Sequence, residues 1–508
     1  MQVYIINYGI LIISAFSKFY GFRIKEMKIK NLKKIDEIEY EIATESSRYM
    51  KIPARIYGTE SIIKNMNPDV LNQIKNVASL PGIVDVALYM PEGLTGYGSP
   101  NGSIVAVDPE NGVISPGGIG FDINCGIRLI TTNLTYNEIS PKIKPLINKI
   151  YKNIPSGIIT TGMLQLSESN LEEAMIYGAE WGVKNGYGDN NDLLCCEESG
   201  RISEADPSTV SIKAIDRGSK QIGSLGSGNH YIEVLVVKDQ NIFDKEKAKT
   251  FGITGNGQVV ILIHCGSRGF GHQIAADYIW DFMKLQEKLG YVLPNRDLAF
   301  AAFYSNEGQR YYKAMNCAAN FAFLNRHIIK HKITEVLFEL FGSKNDLKVE
   351  TVYDVAHNMA KLENHLVNGK EQKLLIHRKG ATRALPPGNK YTSDKYSSSG
   401  QPVLIGGSME TSTYLMSGTE AGKKTFYSSI HGSGRLLSRN EAKENFHGKN
   451  IKKSMDSRKI YTKFSTYEIL AEEAGEAYND VNEIVYALHK AGLSNLVAKL
   501  EPIGNIKG

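Results

Sequence analysis

The sequence predicts a mixed α/β (α+β) fold, one large domain whose central mixed sheets surround a single site. Strand-like and helix-like segments alternate along the 508 residues without an internal repeat, and no clear linker divides them. The composition agrees, because 42% hydrophobic and 22% charged residues with 48 glycines are typical of a globular protein with many loops. A fibre or a disordered chain is excluded on the same grounds.

The clearest strand, loop and helix unit lies in the middle of the chain. The β-branched run 259–263 predicts a strand that ends at His264, and residues 273–289 then carry apolar side chains at helical spacing. A long helix is predicted over 307–341, with a buried stripe formed by Met315, Ala319, Phe323 and Leu324. Further strands are predicted at 231–237, 347–353, 373–376 and 402–405.

Two polar segments are predicted to lie at the surface. The stretch 186–206 is rich in Gly and Asp, which indicates a surface excursion or a lid. The segment HRKGATR places Arg378, Lys379 and Arg383 in a basic loop. Such charge runs are usually just solvated, and contact with a polyanion is the less common alternative.

The first 26 residues are treated apart from the fold. Residues 3–16 are apolar, but they are too short to span a bilayer and no basic segment precedes them. Met27 opens a polar, Lys-rich run, so we expect translation to start there. Residues 1–26 would then be an extension outside the fold, and 27–508 the domain.

Charge and cysteine content indicate which partners and which cellular compartment the chain is suited to. The formal net charge of +5 permits a local polyanion-binding patch without demanding one. The five cysteines are sparse and odd in number, and two of them, Cys195 and Cys196, are adjacent and cannot readily bridge each other. We therefore expect a reduced, cytoplasmic location and no membrane association.

The stretch GGIGFDINCG sets Asp122 and Cys125 three residues apart among glycines. In isolation, an acidic turn residue and a buried thiol would be the more common explanation. The glycines allow tight turns, however, and a thiolate beside a carboxylate suits Mn²⁺, Zn²⁺ or Fe²⁺ better than Mg²⁺ alone. Because one thiolate can bridge two ions, a binuclear site that brackets a phosphate is the functional hypothesis.

Three histidines stand in turns at predicted strand ends, each beside Asn or Cys. A single histidine near a strand end is more often a satisfied core residue, but three in the same context favour a shared site. Neutral imidazoles would suit the metals named above. The three are His230, His264 and His357, and Asn229 and Asn358 flank two of them. The remaining histidines outside HRKGATR and HGSGRLLSR are interpreted as structural: His272, His327, His331, His365, His447 and His489.

The segment HGSGRLLSR is the best candidate for covalent catalysis. Its glycines leave the imidazole of His431 open to a phosphate, and a neutral ring nitrogen can attack phosphorus to form a phosphoramidate. Arg435 could neutralise phosphate charge, although a glycine turn with a helix-capping Arg is equally common. The segment IGGSMETST is typical of a cradle for phosphate or ribose. Glu233 could match the two donors of a guanine edge or be a solvent-facing strand residue.

Taken together, these motifs resemble the RtcB family of RNA-splicing ligases, in order and at comparable spacing. The resemblance runs from about Met27 to Gly508 and rests on no single motif. It is carried by PGGIGFDINCGIRL, LGSGNHYIEV, HCGSRGFGHQ, YDVAHNMAK, HRKGATRALPPG, VLIGGSM, HGSGRLLSR and the terminal IKG.

The resemblance implies a binuclear Mn²⁺ site and a GTP-dependent ligation of RNA ends, often assisted in the family by an archease protein. One ion would be held by Asp122, Cys125 and His230, and the other by Cys125, His264 and His357. His431 would carry GMP, and the guanylate would be surrounded by Asn229, Glu233, His357, Asn358, Gly406, Gly407, Ser408, Met409, Thr413, Gly432, Ser433, Gly434 and Lys507.

The family chemistry opens a 2′,3′-cyclic phosphate to a 3′-phosphate, moves GMP from histidine onto it, and lets a 5′-hydroxyl displace GMP. A 3′-phosphate has no good leaving group until guanylylation provides one, which makes the order of steps physically reasonable. Substrates in this family chemistry would be broken RNA ends, such as tRNA halves.

The chain departs from the family pattern PDxHxGYGxPIGG, because it reads PEGLTGYGSPNGS. Glu92 stands where Asp is typical, and Leu94, Asn101 and Ser103 also differ. One additional methylene at Glu92 would misplace a hydrogen bond by about an ångström and lower the rate by about 10²-fold. Ser433 and Cys265 are further, milder departures.

These departures keep two alternatives open beside an active ligase with Glu92 in a catalytic role. The first is a nucleotide-binding or RNA-binding relative whose ligation has weakened. The second is a metal-dependent phosphohydrolase, which would need no GTP.

Overall fold

The computed structural model describes residues 32–158, 160–291, 294–342 and 345–508. Residues Leu32–Gly508 form one compact unit. Its sheets contain both parallel and antiparallel strand pairs, so the predicted mixed α/β class is confirmed. The predicted N-terminal extension, 1–26, lies outside the described residues. No helix in the described ranges combines the length and the apolar character that crossing a bilayer requires.

The strands are β1 Lys33–Lys34, β2 Glu39–Ile42, β3 Ala54–Tyr57, β4 Ala87–Tyr89, β5 Ser103–Val107, β6 Val113–Ile114, β7 Gly126–Thr135, β8 Tyr231–Val237, β9 Gln258–Cys265, β10 Ala301–Ala302, β11 Val349–Ala356, β12 Asn358–Val367, β13 Lys370–Lys379, β14 Ala381–Arg383, β15 Pro402–Ile405, β16 Thr413–Gly418, β17 Ser428–Ile430, β18 Tyr461–Phe464 and β19 Ser494–Lys507. The helices are α1 Glu60–Asn65, α2 Pro68–Val77, α3 Tyr136–Ile139, α4 Ile143–Asn153, α5 Glu168–Tyr177, α6 Ala179–Lys184, α7 Asn190–Leu194, α8 Ile212–Gly218, α9 Lys245–Thr250, α10 Arg268–Lys288, α11 Asn306–Phe341, α12 Arg439–Asn445, α13 Gly448–Ser457, α14 Tyr467–Glu472 and α15 Val481–Lys490.

One sheet, with the order β11-β7-β9-β8-β19-β16-β15, provides the edge on which the site is built. Its first four strands are antiparallel neighbours, so β7 and β8 begin where β9 and β11 end. The register shows this directly, because His264 lies opposite Ile127 on one side and Tyr231 on the other. Residues that precede β7 and β8, or close β9 and β11, therefore meet at one edge.

The second large sheet, β1-β2-β3-β4-β5-β13-β12, delivers the remaining elements of the site. Strand β13 continues through Gly380 into β14, which pairs with β17 in a short ribbon. In that ribbon Ala381 lies opposite Ile430, so the residue after β17, His431, is brought beside Gly380. The two sheets thus meet at the edge described above.

Helix α11 confirms the predicted long helix, but its predicted buried stripe is too narrow. Met315, Ala319, Phe323 and Leu324 are fully buried, and so are polar residues on its other faces, including Asn320 and Arg326. A helix that is buried all round is a central helix of a large domain rather than a surface helix with one apolar face. Its polar side chains form hydrogen bonds with backbone groups of the loops packed around it.

The segment 186–206, predicted as a surface excursion or a lid, is exposed at 189–191 and 198–199, but its charged residues Asp192 and Glu197 are buried in the interior, which a mobile lid would not allow. Asp192 is 3% exposed and pairs with Lys330 at 2.9 Å. Glu197 is 2% exposed and accepts from Lys361 at 2.6 Å. Polar composition was misleading here, since the charges are paired inside rather than solvated.

The basic loop predicted in HRKGATR is also buried, so contact of these residues with a polyanion is ruled out. Arg378 donates to both carboxylate oxygens of Glu363, at 2.6 and 2.8 Å, and Arg383 donates to Glu198 at 2.7 Å. Burial lowers the pKa of Lys379 to about 7, and its ammonium donates to the carbonyls of Tyr97 and Gly117. The three cations stabilise strands and loops.

Candidate active site and metal centre

Two groups of side chains that could hold metal ions lie at the shared sheet edge, and they have Cys125 in common. In the first group, Nε2 of His230 is 2.8 Å from Asp122 Oδ2 and 3.4 Å from Cys125 Sγ. The Nδ1–H of His230 is held by the carbonyl of Leu225 at 2.9 Å. That bond occupies Nδ1, so Nε2, which faces Asp122 and Cys125, is the nitrogen that would bind a metal.

The second group places two imidazoles on the other side of the same thiol. Nε2 of His264 is 3.4 Å from Cys125 Sγ and 3.2 Å from Nε2 of His357. Two nitrogen lone pairs and a sulfur that converge this closely, without a bonded partner between them, fit a tetrahedral or octahedral transition-metal ion. The predicted ligand set Asp122, Cys125, His230, His264 and His357 is therefore brought together in one place.

The protonation states of the two imidazoles in the second group suit metal binding. Burial, together with the positive charge of His431, holds the pKa values of His264 and His357 well below the usual range, so both rings are neutral. Burial and the neighbouring Asp122 carboxylate raise the pKa of the Cys125 thiol to about 12. A cation would have to displace that proton, so metal binding at this site releases a proton.

His431 lies against the second group rather than apart from it. Its ring stacks on that of His357, with centroids 3.9 Å apart and planes inclined by 20°. Its Nδ1–H donates to the carbonyl of Gly380 at 2.6 Å, and a carboxylate oxygen of Glu92 is 3.0 Å from the same nitrogen. Because Nδ1 keeps its proton in this hydrogen bond, the neutral form of the ring carries its lone pair on Nε2.

Glu92 is 2% exposed and determines the charge that the His431 ring prefers. Burial disfavours the imidazolium most strongly, but the Glu92 carboxylate and the Gly380 carbonyl together outweigh burial and raise the pKa of His431. A ring that is substituted at Nε2 while Nδ1 keeps its proton carries positive charge. Glu92 is placed to stabilise that charge.

A cavity of about 300 Å³ opens beside His431. Lys507 lies in its wall, donates to Glu473 at 2.9 Å and to the carbonyl of Gly228 at 2.8 Å, and lies over the ring of Tyr231. The predicted residues that line the cavity are Glu92, Asn229, His264, His357, Asn358, Gly406, Gly407, Ser408, Met409, His431, Gly432, Ser433, Gly434, Arg435 and Lys507.

Two predicted nucleotide contacts lie behind the cavity wall instead. Glu233 accepts from Thr413 at 3.3 Å and from Asn505 at 3.0 Å, and neither Glu233 nor Thr413 lines the cavity. Burial raises the pKa of Glu233 to about 7. Arg435 does line the cavity, but its guanidinium donates to the Leu437 carbonyl, the Tyr478 hydroxyl and Glu473, so it supports the wall.

A second, larger cavity of about 620 Å³ lies on the other side of Asn229 and Arg439, which line both cavities. Its cations are Arg217, Lys220, Arg268 and Arg439, and its acidic members are Asp122 and Asp216. His272, which was assigned no role from sequence, lies in the wall and stacks on Phe121 at 4.7 Å. These cations come from separate segments, so no local charge run could have indicated this basic cavity.

Comparison with known proteins identifies the chain. A family model described as tRNA-splicing ligase RtcB matches residues 73–508. The chain belongs to the RtcB family. A protein of Thermococcus kodakarensis named tRNA-splicing ligase RtcB is 47% identical over 480 residues, which cover 94% of this chain and 99% of the relative. One of Archaeoglobus fulgidus with the same name is 45% identical over the same shares.

The RtcB relatives extend to eukaryotes. A protein of Entamoeba histolytica named RNA-splicing ligase RtcB homolog 1 is 44% identical over 475 residues, 90% of each chain. The resemblance inferred from the motifs is thereby confirmed. Of the residues expected to depart from the family pattern, Glu92, Leu94, Asn101 and Ser433 line the cavity beside His431.

Proposed function

We propose that the protein is an RNA ligase that uses GTP and two Mn²⁺ ions to join 2′,3′-cyclic phosphate or 3′-phosphate RNA ends to 5′-hydroxyl ends, through a histidine-GMP intermediate. The observation that carries this proposal is the stack of His431 on His357. It places the Nε2 atom of His431, which carries the lone pair when the ring is neutral, beside the imidazoles of the candidate metal centre.

The residues present fit a pair of transition-metal ions. His264 and His357 are neutral, buried and converge on one point, and Cys125 can serve both ligand groups. One group would comprise Asp122, Cys125 and His230, and the other Cys125, His264 and His357. Mn²⁺ ions bound there would neutralise charge on phosphate oxygens and polarise the phosphorus centre.

The first step would be guanylylation of His431. Its Nε2 attacks the α-phosphorus of GTP, a P–N bond forms, and the bond to the β-phosphate oxygen breaks with release of pyrophosphate. The Gly380 carbonyl keeps the proton on Nδ1, and the Glu92 carboxylate stabilises the positive ring of the adduct. Asn229, Asn358, Gly406 to Met409, Gly432 to Gly434 and Lys507 would surround the guanylate, with Glu233 and Thr413 behind them.

The basic cavity would hold the RNA ends. After hydrolysis of a cyclic end, an oxygen of the RNA 3′-phosphate attacks the guanylate phosphorus and the P–N bond breaks. The 5′-hydroxyl oxygen then attacks the 3′-phosphorus, a phosphodiester forms, and GMP leaves. Arg217, Lys220 and Arg439 can bind the phosphates, because the first two are exposed and the third reaches both cavities.

In this proposal residues 27–508 form the ligase domain, with 1–26 as an extension. The protein would act in the cytoplasm without a membrane partner. Substrates would be tRNA halves or other broken RNA, and an archease would assist turnover.

The test combines two assays on the wild-type protein with Mn²⁺. Labelled GTP reports transfer of GMP to the protein, and an RNA pair with cyclic-phosphate and 5′-hydroxyl ends reports sealing. We expect both, and no joining of a control pair with 3′-hydroxyl and 5′-phosphate ends. Labelling without sealing would favour the weakened relative, and phosphate release without a GTP requirement would favour a phosphohydrolase.

A further inference from the structure

Arg326, in the middle of α11, is fully buried directly behind the metal-ligand loops. Its Nε lies 2.9 Å from Asp354 Oδ1 and 3.0 Å from Oδ2, and its Nη2 lies 2.8 Å from Oδ1. Asp354 is also paired with Arg128 at 2.7 Å. The carboxylate thus compensates the buried cation from one side and leaves the other end of the guanidinium free to bind elsewhere.

That free end binds the backbone next to two proposed metal ligands. Nη1 of Arg326 donates to the carbonyl of Asn124 at 2.7 Å and to the carbonyl of Cys265 at 2.8 Å. Asn124 immediately precedes Cys125, and Cys265 immediately follows His264. One nitrogen therefore ties together the loop that carries the shared thiol and the strand end that carries an imidazole.

The loop around Asn124 is shaped for this contact. Asn124 has a φ of 51°, its side-chain oxygen accepts from Nη2 of Arg326 at 3.0 Å, and its amide donates to the Ala319 carbonyl at 2.7 Å. A Cβ on Gly126 would lie 2.7 Å from Cζ of Arg326, so only glycine leaves room for the guanidinium here. Residues on both sides of Cys125 are thus fitted to this one side chain.

We propose that Arg326 is a positioning residue for the metal centre, which sets the distance between Cys125 and His264 through their neighbouring carbonyls. The inference rests on the proposed metal site. Lysine cannot replace the guanidinium in this role, because a single ammonium cannot bind Asp354, the two carbonyls and the Asn124 side chain in one plane. Loss of such supporting contacts weakens metal binding by about 10- to 100-fold in known metal sites.

The variant Arg326→Lys tests this role, with Arg378→Lys as a matched control. Arg378 is equally buried and binds Glu363 through two nitrogens, but its contacts to Ser428 and Phe426 lie away from the metal ligands. Titration with Mn²⁺ measures affinity, and titration with Co²⁺ reports the thiolate-to-metal absorption band. Thermal unfolding of the metal-free proteins measures the structural cost of both changes.

We expect both variants to unfold at lower temperature, but only Arg326→Lys to bind Mn²⁺ about 10- to 100-fold more weakly and to lose or shift the Co²⁺–thiolate band. Equal metal affinity and an unchanged band in Arg326→Lys would overturn the positioning role while leaving the metal site intact. A wild-type protein that binds neither ion would overturn the metal site itself, and this role with it.

Asn124→Gly provides a second variant in case Arg326→Lys does not fold. Glycine adopts the positive φ of this position readily, so the change removes the side-chain contacts to Arg326 and Ala319 and keeps the backbone path. We expect weaker Mn²⁺ binding and a shifted Co²⁺ band again. Wild-type affinity and spectrum in this variant would contradict the proposal.

Discussion

The rings of His431 and His357 are stacked, with their centroids 3.9 Å apart. His357 belongs to a candidate metal-ligand group and His431 is the proposed nucleophile. The stack therefore places the nucleophile in direct contact with a proposed metal ligand. The Nδ1–H of His431 points toward the Gly380 carbonyl. A phosphate bound to metal ions at this centre would therefore meet Nε2 of His431.

Glu92→Gln should slow guanylylation of His431 by about 10²-fold, because the amide cannot stabilise the positive ring of the adduct. The rate is measured in a single turnover with labelled GTP and saturating Mn²⁺. Glu92→Asp is the matched comparison. The side-chain amide of Asn479 donates to the Glu92 carbonyl at 2.8 Å, so the backbone cannot shift to compensate for the shorter side chain of aspartate. We therefore expect Glu92→Asp to slow guanylylation, but less than Glu92→Gln does. Wild-type rates in Glu92→Gln would remove Glu92 from the mechanism.

Cys125→Ser should weaken binding of both metal ions together. The thiol is the only member common to the two groups, and a hydroxyl is not deprotonated by a metal as a thiol is. Metal content after dialysis and titration with Mn²⁺ give the stoichiometry. Cys317→Ser, a change at another buried thiol, is the control and should leave two ions bound. Loss of one ion alone from Cys125→Ser would argue against a shared ligand.

Guanosine should bind about tenfold more weakly at pH 6 than at pH 8, because the ionised fraction of the Glu233 carboxyl, whose pKa is about 7, falls about tenfold between these two pH values. The ionised Glu233 carboxylate holds the Thr413 hydroxyl and the Asn505 amide behind the cavity wall, so we expect the wall and the affinity for guanosine to be intact above this pKa and to weaken as the pH falls through it. Calorimetry without metal separates this effect from the metal site. Glu233→Gln should bind guanosine weakly at both pH values. If this variant keeps the pH dependence of the wild type, Glu233 is not the group that titrates.

Lys220→Ala should weaken RNA binding and reduce the dependence of log affinity on log salt by about 0.7 to 0.9, the contribution of one phosphate contact. Lys220 lines the basic cavity but not the cavity beside His431, so guanylylation should be unchanged. Lys370→Ala, at an exposed hairpin turn that lines neither cavity, is the control. An unaltered salt slope in Lys220→Ala would place the RNA elsewhere.

Much of the architecture could be predicted from local pattern. The strands Tyr231–Val237 and Pro402–Ile405 were predicted with their observed bounds, and the helix Asn306–Phe341 within one residue. Each is a long or strongly apolar segment, in which periodicity outweighs other signals. The ligand set was predicted for a different reason, since each ligand lies at or close to the terminus of a strand and the strands are neighbours in one sheet.

Features that depend on distant partners were not predictable in this way. Asp192 is a polar residue in a polar segment, and its pairing with Lys330, far away in sequence, compensates its charge in the interior. Arg378 is buried in the same way through Glu363 on the neighbouring strand and through Ser428 and Phe426. Glu473, which binds Lys507 and Arg435 in the wall of the cavity, carried no local signal either. Long-range charge pairing is a property of the folded chain rather than of any short segment.

The central claim is that Nε2 of His431 becomes covalently bonded to GMP. The most direct measurement is peptide mass spectrometry of the protein after incubation with GTP and Mn²⁺, kept at a pH where phosphoramidates survive. The account predicts a guanylate on the peptide that contains His431, and none on His431→Ala, which should still bind Mn²⁺. A guanylate on another residue, or an undiminished adduct in His431→Ala, would contradict it.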